Sequence, residues 1–378
     1  MSTQAGFRRR EFRRREFRRH VAQALQWSGT ARVDRTLMLV SFLAVAVPIA
    51  VALLLKRPGI GPAIALGAVL LAPEPAQGNA AGHGAILAAL LLPAGAAMVA
   101  ACMLARLPGA DALMIALGTG AATLVNYSRP AAVAGVRFIV VLVLTLALIG
   151  PHAVHGGAAL LFGIGALWRT GLQLLVRSGP IDMAPAAPAL ASALAPATAP
   201  ASAARRAPTP RQLRAHLRRQ LQTLQGWQYP LRLAAGLAAA CVVRALWPQH
   251  HFDWLVVAVV LMTPRTIEHV PVAVTQRVLG TLIGVCLAGA VVHAGLPYTA
   301  LLLLLCLCGT LAPVARSGNY AAYCALSTPL ILLAMDAHGP IGDGMLAERL
   351  AATVLGGLLI AGANLAMEGL LRLTLRRG

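Results

Sequence analysis

From about Arg35 to Val176 the chain is almost continuously apolar, and it is so again from Tyr229 to about Leu371. Short breaks of Pro, Gly and Arg interrupt the first block at Lys56-Arg57-Pro58, Pro73-Glu74-Pro75, Arg106-Leu107-Pro108, Ser128-Arg129-Pro130 and Gly150-Pro151. Such residues punctuate helices because they supply turns or cannot continue the hydrogen-bond ladder. They predict helices over 36–55, 59–73, 84–105, 110–127, 131–150 and 156–176. The second block divides in the same way into 229–247, 252–264, 275–294, 296–314, 319–335 and 346–371. An apolar helix of about 20 residues crosses the ~30 Å hydrocarbon core of a bilayer. The pattern therefore predicts an all-α, polytopic transmembrane bundle of roughly twelve spans, arranged as two parallel six-helix repeats.

The polar segments complete the organisation: a basic arm over 1–34, the first block over 35–177, a linker over 178–226, the second block over 227–372 and a tail over 373–378. Residues 7–19 read FRRREFRRREFRR, a basic arm suited to anionic lipid headgroups. Residues 180–210 are rich in Ala, Pro, Ser and Thr and cannot build a core. The next stretch, 211–225, carries Leu213, Leu217, Leu221 and Leu224 at helical spacing between arginines, the pattern of an amphipathic helix on the membrane surface.

Composition agrees with this picture. Hydrophobic residues make up 58% of the 378 and charged residues only 12%, with a mean hydropathy of +0.73. A soluble domain needs about a quarter of its residues charged. The net charge of +20 is concentrated in the arm, the linker and the tail, so it marks the cytoplasmic side rather than a nucleic-acid surface. With all three basic segments cytoplasmic, each block holds an even number of spans, as six plus six does. Lys56, Arg57 and Arg106 fall outside on this scheme. No cleavable leader is visible at the start, and the preference for Arg over Lys, with the Ala and Gly excess, points to a bacterium and its inner membrane.

The six cysteines form no C-x-x-C pair and read as apolar fillers, so neither a disulfide framework nor a metal is expected. No P-loop, nucleophile elbow or H-E-x-x-H is present, and His250-His251-Phe252-Asp253 lacks a nucleophile or metal spacing. No enzyme, no cofactor and no nucleic-acid partner is expected. What the blocks do contain are two short, proline-ended second spans, Ile60–Ala72 and Trp254–Thr263. Such segments at matching positions of two repeats point to a transport site. Leu71-Ala72-Pro73-Glu74 and Met262-Thr263-Pro264-Arg265 match as their ends, and Asn126-Tyr127 and Asn319-Tyr320 as openings of the fifth spans. Ionisable residues inside spans are costly and face a cavity or a partner. Arg277 and Arg349 are the strongest candidates to meet an anion, with Glu268 a candidate ion-pair partner for Arg277. Arg244, Asp253 and Arg137 are weaker, because each lies near a boundary. Thr328-Pro329 in mid-span is read as a kink that also suits a hinge or a substrate contact.

The second block resembles the fusaric acid resistance-like family, which includes aromatic acid exporters of bacterial inner membranes. The stretches that carry the resemblance are WLVVAVVLMTPR at 254–265, QRVLGTLIG at 276–284, NYAAYCALSTPLILL at 319–333 and ERLAATVLGG at 348–357. The family pattern falls on Trp254, Arg277, Gly280, Thr281, Gly284, Asn319, Tyr320, Thr328, Pro329, Arg349 and Gly356. The resemblance implies efflux of small aromatic or amphipathic organic anions, together with a periplasmic adaptor and an outer-membrane channel as partners. Arg277 and Arg349 would then offer charge, and Asn319, Tyr320, Thr328 and Pro329 would line the path. Gly280, Thr281, Gly284 and Gly356 would serve helix packing. The first block departs from the pattern: its matching stretch, GHGAILAALLLPAG at 82–95, has no Arg, and the large cytoplasmic domain of many relatives is missing. A proton-driven transporter is the expectation, with a gated anion channel or a membrane scaffold as alternatives. A homo-oligomer is compatible with all three.

Overall fold

The computed structural model describes residues 26–28, 34–57, 59–70, 80–149, 157–177, 209–250, 252–336 and 343–375. The repeat at 7–19, most of the linker, Pro73-Glu74-Pro75, His251 and His338 lie outside the described residues. The first block forms α1 (Arg35–Leu54), α2 (Ile60–Leu70), α3 (Ala80–Leu104), α4 (Ala110–Thr123), α5 (Arg129–Ile149) and α6 (Gly157–Arg177). After α7 (Pro210–Leu221), the second forms α8 (Leu224–Leu246), α9 (Asp253–Met262), α10 (Val270–His293), α11 (Tyr298–Gly318), α12 (Tyr320–Asp336) and α13 (Asp343–Leu375). Among the described residues every regular element is helical.

Local chemistry sets the helix ends. Asp34 Oδ1 accepts from the amides of Thr36 and Leu37 at 2.9 and 3.1 Å and starts α1. Thr209 and Gln212 form a capping box at α7, with Pro210 in its first turn. Two expectations shift. The amphipathic helix expected to run to 225 stops at Leu221, because Thr223 Oγ1 accepts from Gly226 N at 3.2 Å and opens α8. Asn126-Tyr127 does not open the fifth span. It ends a 3₁₀ turn, Leu124–Asn126, that prolongs α4, and α5 starts at Arg129.

The two blocks use the same pairings. In the first, α2 packs on α1 and α6, and α3 packs on α5; in the second, α9 packs on α8 and α13, and α10 packs on α12. Between blocks α1 meets α11 and α4 meets α8, while α2 meets α12 and α5 meets α9. The short helices α2 and α9 are therefore central. Their 11 and 10 residues are almost wholly apolar and mostly buried. At 1.5 Å per residue each is only about 15 Å long, so neither crosses a bilayer alone.

Among the described residues six helices are long and apolar enough to cross a membrane: Arg35–Leu54, Pro130–Leu148, Leu224–Leu246, Ile267–His293, Tyr298–Gly318 and Gly344–Thr374. Large apolar side chains cover the outside, among them Leu92, Leu303 and Leu365 at 70%, 71% and 69% exposure. An apolar belt of this kind is stable against lipid and not against water. The chain is a multi-pass membrane protein.

Candidate functional site

The site is built where α10 and α12 touch. Gly280 and Gly284 face α12 so closely that a Cβ at Gly280 would come 2.3 Å from Ala321 O, and one at Gly284 2.7 Å from Thr328 Cβ. Small residues one turn apart let two backbones approach in this way. Arg277, one turn before Gly280, is thereby pressed against α12 and is 5% exposed. Its Nη1 donates to Tyr320 Oη at 3.3 Å and to Cys324 Sγ at 3.6 Å. Tyr320 and Cys324 are four residues apart and share a face of α12. The Tyr320 ring stacks on Tyr323, with centroids 6.0 Å apart, and the Arg316 guanidinium lies over Tyr323 at 5.8 Å.

Arg349 comes from α13 and is 4% exposed. Its guanidinium carbon sits 3.9 Å from the centroid of the Trp254 ring, at the start of α9. A cation over an indole face in a dry site is stabilised by about 2 kcal/mol. Arg277 and Arg349 are close enough to repel one another, and Cys324 feels the charge of both. Among the described residues no carboxylate pairs with either arginine. The Nε of each is buried without a hydrogen-bond partner. Two buried cations thus lie near one another beside aromatic rings, a hydroxyl and a thiol, and among the described residues neither has a carboxylate partner. That arrangement attracts an anion, because an unpaired buried charge is expensive.

Of the expected path residues, the structure brings Arg277, Tyr320 and Arg349 together. Thr328 and Pro329 lie further along α12, where they meet Gly284. Asn319 caps α12: its Oδ1 accepts from the amides of Ala321 and Ala322 at 2.7 and 3.2 Å. Thr281 is fully buried, and its Oγ1 has no partner. Gly356 packs α13 on α9, with Met262 Cε and Ala258 Cβ 3.0 and 3.1 Å from its would-be Cβ.

The ion pairs fall elsewhere. Glu268 does not pair with Arg277. It sits in the 3₁₀ turn Ile267–His269 ahead of α10, whereas Arg277 points into the contact with α12. Asp253 pairs with Arg244 at 2.7 Å, and Arg244 also pairs with Asp111 of the first block. His250 Nδ1 meets Glu348 Oε1 at 2.8 Å, beside Arg349.

Sequence reasoning missed three residues. Arg232 is 1% exposed within α8. It donates to Pro264 O, Arg265 O and Asn364 Oδ1 at 3.0, 2.9 and 3.1 Å. It thereby answers the backbone carbonyls where the chain leaves the short helix α9. Being four residues inside a span was its signal, the same one that drew attention to Arg277. Arg169 of α6 is equally buried and donates to Ser41 Oγ at 2.8 Å. Cys324, expected as a filler, is instead a contact of Arg277; its position in Tyr320-x-x-x-Cys324 was the available signal.

Residues 237–362 match the family described as fusaric acid resistance protein-like. No curated protein and no solved structure matches the chain.

Proposed function

We propose, from the premise that residues 237–362 carry the fusaric acid resistance protein-like family's segment, that the chain is an inner-membrane exporter of small aromatic or amphipathic organic anions driven by the proton gradient. One observation carries the reading. Two buried arginines, Arg277 and Arg349, lie near one another, and among the described residues no carboxylate pairs with either. A carboxylate substrate would complete the charge balance, and charge-assisted hydrogen bonds to guanidinium are the strong kind. The rings of Trp254, Tyr320 and Tyr323 give an aromatic substrate faces to stack on.

The recurrence of helix pairings in the two blocks supports two parallel repeats of six helices, with the short α2 and α9 at their centre. The basic arm, linker and tail support cytoplasmic termini. The domain limits are those of the sequence reading. A periplasmic adaptor, an outer-membrane channel and a homo-oligomer complete the proposed assembly.

The test is accumulation of labelled 4-hydroxybenzoate in cells that lack or overexpress the protein. Expression should lower accumulation, an uncoupler should restore it, and Arg277→Ala should abolish the difference. Downhill current without uphill movement would indicate a gated anion channel. Unchanged accumulation with Arg277→Ala indistinguishable from the parent would remove the exporter reading.

A further inference from the structure

Helix α7 differs from the spans around it. Its sequence, PRQLRAHLRRQL, holds arginines at 211, 214, 218 and 219 and no acidic residue. All four are exposed, and among the described residues no carboxylate pairs with any of them. Leu213, Leu217 and Leu221 are half-buried.

The bundle fixes where this helix sits. Only Gln222 and Thr223 separate it from α8, which is long and apolar enough to cross the membrane. Trp227 Nε1 donates to Leu221 O at 2.8 Å, answering a carbonyl at the end of α7. Gly226 approaches the same turn so closely that a Cβ would come 2.0 Å from Gln220 O. Asn126 of the first block in turn donates from Nδ2 to Gly226 O at 2.7 Å. Helix α7 is thus seated at the mouth of a span, at the depth of the lipid headgroups.

A groove of about 410 Å³ runs along it, lined by Arg214, Leu217, Arg218, Leu221 and Gln222. The spacing is i, i+3, i+4, i+7 and i+8, so these residues form one stripe. Two guanidinium groups therefore stand one turn apart beside two leucines. Guanidinium pairs strongly with phosphate oxygens, and leucine favours hydrocarbon. A small soluble anion would use the arginines alone, whereas an anionic lipid would use both. The chain's own arm and linker are poor occupants, because residues 1–25 and 178–208 each carry more arginine than acid.

We propose that this stripe is a binding site for one anionic phospholipid, with Arg214 and Arg218 on the headgroup phosphate and Leu217 and Leu221 along the start of its acyl chains. The site stands whatever the chain transports; only its assignment to the cytoplasmic leaflet rests on the proposed topology. A loose amphipathic helix would respond to its total charge. A seated stripe instead distinguishes Arg218 from Arg219, which projects about 100° away around the helix.

The experiment is a titration of the purified full-length protein with dioleoylphosphatidylglycerol, read by native mass spectrometry, with dioleoylphosphatidylcholine as the neutral reference. One phosphatidylglycerol should bind more tightly than phosphatidylcholine. Arg214→Gln and Arg218→Gln should each weaken that lipid by about fivefold, and the double variant by about 25-fold, the scale that basic residues near anionic lipid contribute. Arg219→Gln removes the same charge from another face and should change the affinity by less than about twofold. All three side chains are exposed, so these substitutions leave the fold intact. Equal losses in Arg218→Gln and Arg219→Gln would overturn the site in favour of diffuse attraction. Parental affinity in the double variant would place the lipid elsewhere and overturn it too, as would equal binding of the two lipids by the parent. Because the titration needs no substrate, its result is separate from that of the export assay.

Discussion

Arg232 and the Arg277–Arg349 pair belong to one block and are about equally buried, yet their surroundings differ in kind. Arg232 spends its donors on three backbone carbonyls, Gln228 O through its Nε and Pro264 O and Arg265 O where α9 ends, and on the Asn364 amide oxygen. Arg277 has one hydroxyl and one thiol, Arg349 has an aromatic face, and each keeps a buried Nε without a partner. Burial alone does not mark a transport residue. A buried arginine whose donors are all answered holds the fold, whereas one left short of acceptors is suited to a ligand.

The comparison makes its largest prediction at Arg232. Arg232→Met should leave several buried acceptors unanswered, at about 1–3 kcal/mol each. Thermal unfolding of the detergent-solubilised variant should show a markedly lower midpoint. A parental midpoint combined with lost export would erase the distinction between the two regions.

Arg277→Ala should do the reverse. Loss of charge-assisted bonds to an anion weakens binding by about 10- to 100-fold, which equilibrium binding of labelled 4-hydroxybenzoate reads directly. Its thermal midpoint should move less than that of Arg232→Met.

Trp254→Leu keeps an apolar side chain under Arg349 and removes the ring. The cation–π contribution is about 0.5–2 kcal/mol, so anion affinity should fall by up to roughly 30-fold. An unchanged affinity would make the Arg349–Trp254 contact purely structural. Gly280→Ala sharpens the comparison differently, since it pushes α10 off α12. Overpacking of this kind costs about 1–3 kcal/mol, and stability should fall together with affinity, whereas Arg277→Ala separates the two.

The smallest effect belongs to Asp111→Asn at the junction of the blocks. Asp111 and Arg244 side chains are 44% and 28% exposed, and partly exposed pairs are worth about 0–1 kcal/mol. The midpoint should shift by no more than a few degrees, and export should persist.

The helices were legible because apolar runs and proline breaks act locally. The spans expected at 59–73 and 252–264 contain the short α2 and α9, which run 60–70 and 253–262, since Pro and the run lengths bound them. The glycine spacing at Gly280 and Gly284 predicted close packing, and the structure adds that α12 is the partner. The candidate site was legible in part: Arg277, Tyr320 and Arg349 do converge. Glu268 was misjudged because proximity in sequence says little across a helix start, where side chains at 268 and 277 point in different directions. Arg232 was missed because three of its four acceptors lie 32 to 132 residues away.

Apolar runs and the breaks between them were enough to mark a membrane chain, most of its helices and two of the cations they bury, Arg277 and Arg349. Those properties follow from local composition, which sets hydration cost and helix length without reference to the rest of the chain. Only the tertiary structure decided which buried arginines are answered and which are left short. It also decided that Asn126 holds Gly226, on which the end of α7 is seated. Satisfying a buried charge or amide depends on acceptors brought from distant segments, and no local pattern specifies those.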